Sequence, residues 1–356
     1  MKAGLGSASA GREVLTADGK GAPAFRAESL TDSYGRVAKK VRIQVTDRCN
    51  YSCDFCMPPN PVWLDRKEIL SFEEITRVSG VLARMGVEKI RLSGGEPLIR
   101  QDIEKLVAKL VGLAGIRSVS VTTNGSMLQK MAARLKESGL SGVTLSLHSL
   151  KPDRYESITG ARDMLGKVLD GMEEVRRVGL PLKVNCVVRV GSNEDEIPDF
   201  VRLAHDRGIS VRFIEYMPFD GKRFWDMSRM MGGSDIIARA MAESKLIPQK
   251  RELGSTATAY RFEDGGPGEV CTITSMTRPF CSDCERIRLT AEGKIVPCLF
   301  SKDEYDVRSL LRGGAEDGEI ASFVRDCFRL KFEGVEALIR ENVVLGRVRP
   351  MNTIGG

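Results

Sequence analysis

From Val41 the chain alternates short β-branched or apolar runs with longer stretches of helical spacing, and this alternation restricts its fold more than any other feature. The strand candidates are Val41 to Thr46, Lys89 to Ser93, Ser118 to Thr123, Gly142 to His148, Leu182 to Arg189 and Val211 to Met217. Helical patterns lie between them at Phe72 to Met85, Gln101 to Leu113, Met127 to Ser138, Val168 to Val178 and Ile197 to Arg207. Repeated strand–helix units imply parallel strands joined by right-handed crossovers. Six of them predict an α/β fold, a partial (βα)6 TIM-like barrel, whose chemistry collects at the C-terminal ends of the strands.

After Met217 the alternation stops, and Pro218 to Gly233 reads as a linker with a short helix. The expected division is a disordered N-terminal extension at 1–30, the barrel at 31–233, a second domain at 234–340 packed across the mouth of the sheet, and a tail at 341–356. With 356 residues, 42% hydrophobic and 29% charged, the chain can bury a substantial core. No uncharged apolar run approaches the roughly 18 residues of a membrane-helix candidate, and the N-terminus lacks a signal peptide's apolar stretch. The expected location is cytoplasmic. Glu13, Asp18 and Glu28 count against a mitochondrial presequence without closing that reading. A net charge of +6, from 54 basic and 48 acidic residues, suits an anionic small molecule and does not by itself call for nucleic acid or a membrane.

Six of the nine cysteines form two triplets, Cys49, Cys53 and Cys56 near the front and Cys281, Cys284 and Cys298 near the back. The front triplet has CxxxCxxC spacing on the loop leaving the first strand. Three thiolates there can hold three corners of a 4Fe–4S cluster and leave one iron open to chelate S-adenosylmethionine (SAM). The alternative is zinc, but structural zinc is almost always four-coordinate, and the chain has only two histidines, His148 and His205. The rear triplet, a CxxC pair with a third cysteine after thirteen intervening residues, likewise lacks an adjacent fourth ligand. Cys186, Cys271 and Cys327 stand alone and read as buried thiols.

Other segments carry chemistry less specifically. Ser93-Gly94-Gly95-Glu96-Pro97 follows the second strand, where glycines let a backbone approach a ligand closely. Thr122-Thr123-Asn124-Gly125 ends the third and reads as a helix cap. Arg286 and Arg288 alternate along a short strand, which puts both guanidiniums on one face. Arg42, Lys89, Arg91, Lys183 and Arg212 are further cations on strand candidates, where a charge in an apolar run is costly unless it faces an anion. The chain has no Walker-type loop.

The run Val45-Thr46-Asp47-Arg48-Cys49-Asn50-Tyr51-Ser52-Cys53-Asp54-Phe55-Cys56-Met57-Pro58 resembles the cluster loop of the molybdenum cofactor biosynthesis protein A family, the GTP 3',8-cyclases of the radical SAM superfamily. The resemblance extends over residues 31 to 356 through the GGEP segment, the rear cysteines and the terminal Asn352-Thr353-Ile354-Gly355-Gly356. It implies a radical SAM barrel with a C-terminal domain carrying a second 4Fe–4S cluster, whose open iron binds guanine. By position it implies SAM contacts at Phe55, Gly95, Ser146 and Met217. GTP contacts fall at Arg42, Lys89, Arg91, Thr122, Lys183, Arg212, Arg286 and Arg288, and the tail through Gly355 and Gly356 reaches the pocket. No catalytic residue is implied beyond the clusters.

The implied activity is a lyase reaction. The front cluster reduces SAM to a 5'-deoxyadenosyl radical that takes hydrogen from the ribose 3' carbon of GTP, and that carbon then bonds guanine carbon 8 to give (8S)-3',8-cyclo-7,8-dihydroguanosine 5'-triphosphate. Implied partners are a low-potential electron donor and a downstream cyclic pyranopterin monophosphate synthase, and a homodimer is compatible. One position departs from the family, which continues Ser-Leu at the fourth strand's end with Asp, where this chain has His148. Two other readings are a radical SAM peptide modifier, which predicts more rear cysteines, and a zinc-binding nucleic-acid module, which predicts an aromatic–basic patch.

Overall fold

The computed structural model describes residues 28–219, 225–340 and 350–355. Six parallel strands run in sequential order, β1 (Lys40–Gln44), β2 (Lys89–Ser93), β3 (Ser118–Thr123), β4 (Gly142–Ser146), β5 (Leu182–Val188) and β6 (Ser210–Glu215). The connections carry α1 (Phe72–Arg84), α2 (Ile103–Val111), α3 (Leu128–Glu137), α4 (Pro152–Thr159), α5 (Leu165–Arg177) and α6 (Ile197–Arg207). The expected bounds of β2, β3 and α6 match those observed, while β4, β5 and β6 end one or two residues early because their last residues turn into loops around a cavity. Helix α4 was not among the expected helices. It is short and polar, with only Tyr155, Ile158 and Thr159 buried, so its sequence carries little periodicity.

Strand alternation separates two faces. In β5, Leu182, Val184, Cys186 and Val188 are buried, while Lys183, Asn185 and Val187 are half-buried on the other face. The buried face packs on the helices, as where Phe213 of β6 meets Phe200 of α6 edge-on at 6.1 Å.

Rather than covering the mouth as a separate layer, the second region extends the sheet at both edges. Helix α7 (Gly233–Glu243) leads to β7 (Leu246–Pro248), β8 (Thr258–Phe262) and β9 (Glu269–Ile273), and β9 pairs parallel with β6. Then β10 (Arg286–Leu289) pairs parallel with β1, followed by β11 (Lys294–Val296) and β12 (Tyr305–Asp306). An open barrel leaves two unpaired edges, and this arrangement satisfies the hydrogen bonds of both. The eight adjacent strands from β10 to β9 would span about 34 Å if flat, at about 4.8 Å per strand. All eight nevertheless line one cavity of about 270 Å³, so the sheet curves around it. Helices α8 (Val307–Arg312), α9 (Asp317–Arg329) and α10 (Val335–Arg340) follow. Among the described residues no helix is long and apolar enough to cross a membrane.

Candidate active site

The front cysteine loop leaves the C-terminal end of β1 and is pinned by backbone. Amides of Ser52 and Asp54 donate to the carbonyls of Thr159 and Ile158 at the end of α4, and a tight turn brings the Cys56 and Met57 amides to the Cys53 carbonyl. Cys49, Cys53 and Cys56 all face the cavity. Burial pushes the Cys49 thiol up to about 11 and Cys56 to about 12, and it raises Cys53 as well. Such thiols become thiolates when a metal centre takes their protons' place. Among the described residues no three His, Cys, Asp or Glu converge on a single-ion position. Two groups of three thiols in one apolar cavity instead suit iron–sulfur clusters, whose protein ligands are cysteine thiolates.

The GGEP segment runs along this loop. Gly95 and Glu96 donate their amides to the Thr46 and Arg48 carbonyls, and a Cβ on Gly95 would stand 2.2 Å from the Arg48 oxygen. Glycine is required there for contact with the cysteine loop itself. Glu96 is buried and accepts hydrogen bonds from the amides of Leu98 and Asn124 and the Thr123 hydroxyl at 2.6–2.9 Å. Burial outweighs those donors and lifts its carboxyl to about 7. The Thr-Thr-Asn-Gly segment therefore does not cap α3, whose start has no side-chain cap. It ties β3 to GGEP, and Asn124 also reaches Asn50 at 2.9 Å.

Along the inner face, Arg288 of β10, Arg42 of β1 and Arg91 of β2 lie directly opposite one another on adjacent strands. Like charges so placed repel. Arg212 and Arg286 line the same cavity, and among the described residues no carboxylate pairs with any of the five, while Arg212 Nε, Arg286 Nη1 and Arg288 Nε have no hydrogen-bond partner. Burial, then neighbouring guanidiniums, hold Arg91 down to about 10 and Arg42 well below its ordinary value. Burial likewise brings Arg288 to about 10. One row lower the contrast is clear, since Lys40 is paired with Glu285 at 2.8 Å. A buried row of unpaired guanidiniums is a site built for a polyanion.

The rear cysteines enter the cavity from the opposite side. Burial raises Cys281 and Cys298 and would raise Cys284, but Arg286 and Lys331 outweigh it and bring Cys284 to about 6. The tail crosses beside the front loop. Gln44 donates to the Asn352 carbonyl at 2.6 Å, Met351 lines the cavity, and Gly355 lies against Ser93. Gly356, like the expected extension before residue 28, lies outside the described residues.

Residues 43–204 match the model of the radical SAM superfamily, and residues 209–336 match that of Molybdenum Cofactor Synthesis C. A GTP 3',8-cyclase of Streptomyces coelicolor is 40% identical over 93% of this chain and 97% of its own length. The chain belongs to the GTP 3',8-cyclase family. A mitochondrial GTP 3',8-cyclase of Arabidopsis thaliana is 39% identical over 92% of this chain and 84% of its own. Among solved structures, Streptococcus suis SuiB bound to S-adenosylmethionine shares the fold, with a TM-score of 0.58 at 16% identity, covering 82% of this chain and 69% of that one. Radical SAM proteins use a 4Fe–4S cluster and SAM, the GTP 3',8-cyclase family carries two clusters, and the two cysteine triplets fit them.

Of the family positions named for SAM, Phe55, Gly95, Ser146 and Met217 all line the cavity. Of those named for GTP, Arg42, Arg91, Thr122, Arg212, Arg286 and Arg288 do so. Lys183 does not line it, although Arg212 and Arg91 are near enough to act on its charge. Lys89 is exposed at the N-terminal end of β2, away from the cavity. Sequence reading missed Glu96, Asn124, Asn185 and Lys331. Asn185 was detectable as a lone amide in the apolar run of β5; its Oδ1 is buried and has no hydrogen-bond partner.

At the departure from the family pattern, His148 is buried, stacks edge-on against Phe55 at 4.8 Å and accepts the Val187 amide on Nδ1 at 3.1 Å. Burial, then Arg189, bring its imidazole down to about 3, so it is neutral. The unfolded chain takes up this proton below about 6.5 and the folded chain only near 3, so its contribution to stability is lost as pH falls through that window. Relative to His148→Gln, wild-type stability is expected to drop between pH 6.5 and 3, read as urea midpoints across pH.

Proposed function

We propose that this chain is a GTP 3',8-cyclase that converts GTP to (8S)-3',8-cyclo-7,8-dihydroguanosine 5'-triphosphate, the first step of molybdenum cofactor biosynthesis. The row of unpaired arginines between the two cysteine triplets carries the reading, because it supplies the charge that a triphosphate needs. Arg42, Arg91, Arg212, Arg286 and Arg288 hold the phosphates, Thr122 meets the nucleoside, and Lys183 adds to the field from lower in the barrel. Phe55, Gly95, Ser146 and Met217 hold SAM against the front loop. When bound, the front cluster supplies one-electron cleavage of SAM and the rear cluster supplies an open iron for the guanine ring. Enclosure by eight strands and the tail keeps water from the reacting carbons and fixes their approach.

Residues 31–233 then carry the front cluster, SAM and three of the phosphate arginines, 234–340 carry the rear cluster with Arg286 and Arg288, and the tail within 341–356 lies at the site through residues 350–355. A low-potential reductant and a cyclic pyranopterin monophosphate synthase are the expected partners, with a cytoplasmic location and a homodimer compatible with the reading. The test is anaerobic reconstitution with iron and sulfide, then reduction with SAM in the presence or absence of GTP. Two clusters' worth of iron and GTP-stimulated 5'-deoxyadenosine with the cyclised product are expected. Iron that saturates at one cluster, or 5'-deoxyadenosine indifferent to GTP, would overturn it.

A further inference from the structure

Behind the rear cysteines, on the segment that leaves α9, sits a lysine the reaction has not used. Lys331 is 2% exposed and does not line the cavity. Its Nζ meets three acceptors, the Arg286 carbonyl at 2.9 Å, the Cys284 carbonyl at 3.3 Å and the Cys284 sulfur at 3.4 Å. Three acceptors around one nitrogen match the three hydrogens of an ammonium group. The group also lies 4.8 Å from the Phe328 ring centroid, as suits a cation. Among the described residues no carboxylate pairs with it, and burying an unpaired ammonium is costly. Among the described residues, the neighbours that can balance it with a full negative charge are the thiolates of the rear cysteines, Cys284 first and then Cys298.

The surrounding contacts hold this segment against the rear loop. Arg36, itself neutralised by Asp32 at 2.6 Å, donates to the carbonyls of Cys281, Phe332 and Glu333 at 2.6–2.9 Å. A Cβ on Gly334 would stand 2.5 Å from the Cys281 sulfur, so the backbone at 334 lies directly against that cysteine. Residues 331–335 thus form the outer wall of the rear site, and Lys331 is its unneutralised charge. Arg286 and Arg288 also act on Cys284, but they face the cavity and share their charge with whatever anion enters it. Lys331 is walled off from that anion by the cysteines.

We propose that Lys331 is the fixed counter-charge of the rear iron–sulfur cluster, raising its reduction potential and keeping it raised whether or not substrate phosphates occupy the cavity. The proposal rests on the two-cluster reading above. Net charge and hydrogen bonds to the sulfurs are the levers a protein has on such a potential, and a cation stabilises the form that has gained an electron.

The experiment is a dithionite titration followed by electron paramagnetic resonance, in full-length protein carrying Cys49→Ala, Cys53→Ala and Cys56→Ala so that only the rear cluster reports. Lys331→Gln keeps hydrogen bonding without charge, Lys331→Met removes both, and Lys331→Arg keeps the charge. Both neutral variants are expected to lower the midpoint at least tenfold in the reduced-to-oxidised ratio, about 59 mV for one electron, with Lys331→Arg near wild type. Loss of the cluster in both neutral variants but not in Lys331→Arg also supports the assignment. Equal midpoints in wild type and both neutral variants, or loss of the cluster in Lys331→Arg as well, would overturn it. If the parent with intact Lys331 binds no rear cluster, the two-cluster reading fails instead, so the two failures are distinct.

Discussion

Arg42→Met is expected to weaken GTP binding about 10- to 150-fold and, in the same protein, to raise the melting temperature without ligand by a few degrees. Arg42 is flanked across the sheet by Arg288 and Arg91, and it faces no carboxylate. A charge-assisted hydrogen bond contributes about 1.5–3 kcal/mol, and each 1.4 kcal/mol is about tenfold in affinity. Without ligand the same guanidinium chiefly repels the arginines around it, at up to about 1 kcal/mol for each directly opposed pair, with Cys284 the weaker attraction. The two effects therefore oppose each other, as expected of a site strained for function. Anaerobic calorimetry with GTP and thermal unfolding without it read both. A lower melting temperature with unchanged GTP affinity would mean that Arg42 serves packing and not phosphate.

The second large effect is expected from Gly95→Ala. The added methyl would meet the Arg48 carbonyl at 2.2 Å and that of Asp47 at 2.6 Å, both backbone atoms next to Cys49 that no rotamer change can move. Forcing a methyl into packed structure costs about 1–3 kcal/mol, and here relief comes only by shifting the cysteine loop. Reconstituted iron should fall by about half, the rear cluster remaining, and 5'-deoxyadenosine formation should fall at least about a hundredfold, a barrier change of about 2.7 kcal/mol. Gly166→Ala is the control, since nothing lies within 4 Å of its added methyl and the position is helical. It should leave both readouts intact and stabilise by about 0.5–1 kcal/mol. Full iron and normal cleavage in Gly95→Ala would show that the close approach is not needed.

Much of this site was legible in the linear chain. Strand and helix periods are local, so β2, β3 and α6 could be bounded from their own residues, and cysteine spacing on one loop is a local fact about reach. Where the signal was weak, the physical reason is visible. Helix α4 is polar and held by the cysteine loop packed against its end. The second region's strands pair with β1 and β6 across long sequence separations, so no local pattern could say that it completes the sheet at both edges.

The sequence by itself determined the kind of chemistry, because thiol triplets, a glycine-rich turn and strand-borne arginines are properties of residue type and spacing. Only the tertiary structure decided which charges remain unneutralised. Lys89 and Arg91 are two residues apart on one strand, yet one is exposed at the barrel's far end and the other is buried in the arginine row. Lys40 found Glu285, while Arg42 found two more arginines. Lys331, in a stretch without motif, came to rest on Cys284 from 47 residues away. Electrostatic energy depends on distance through space and on burial, and neither is a property of position along the chain.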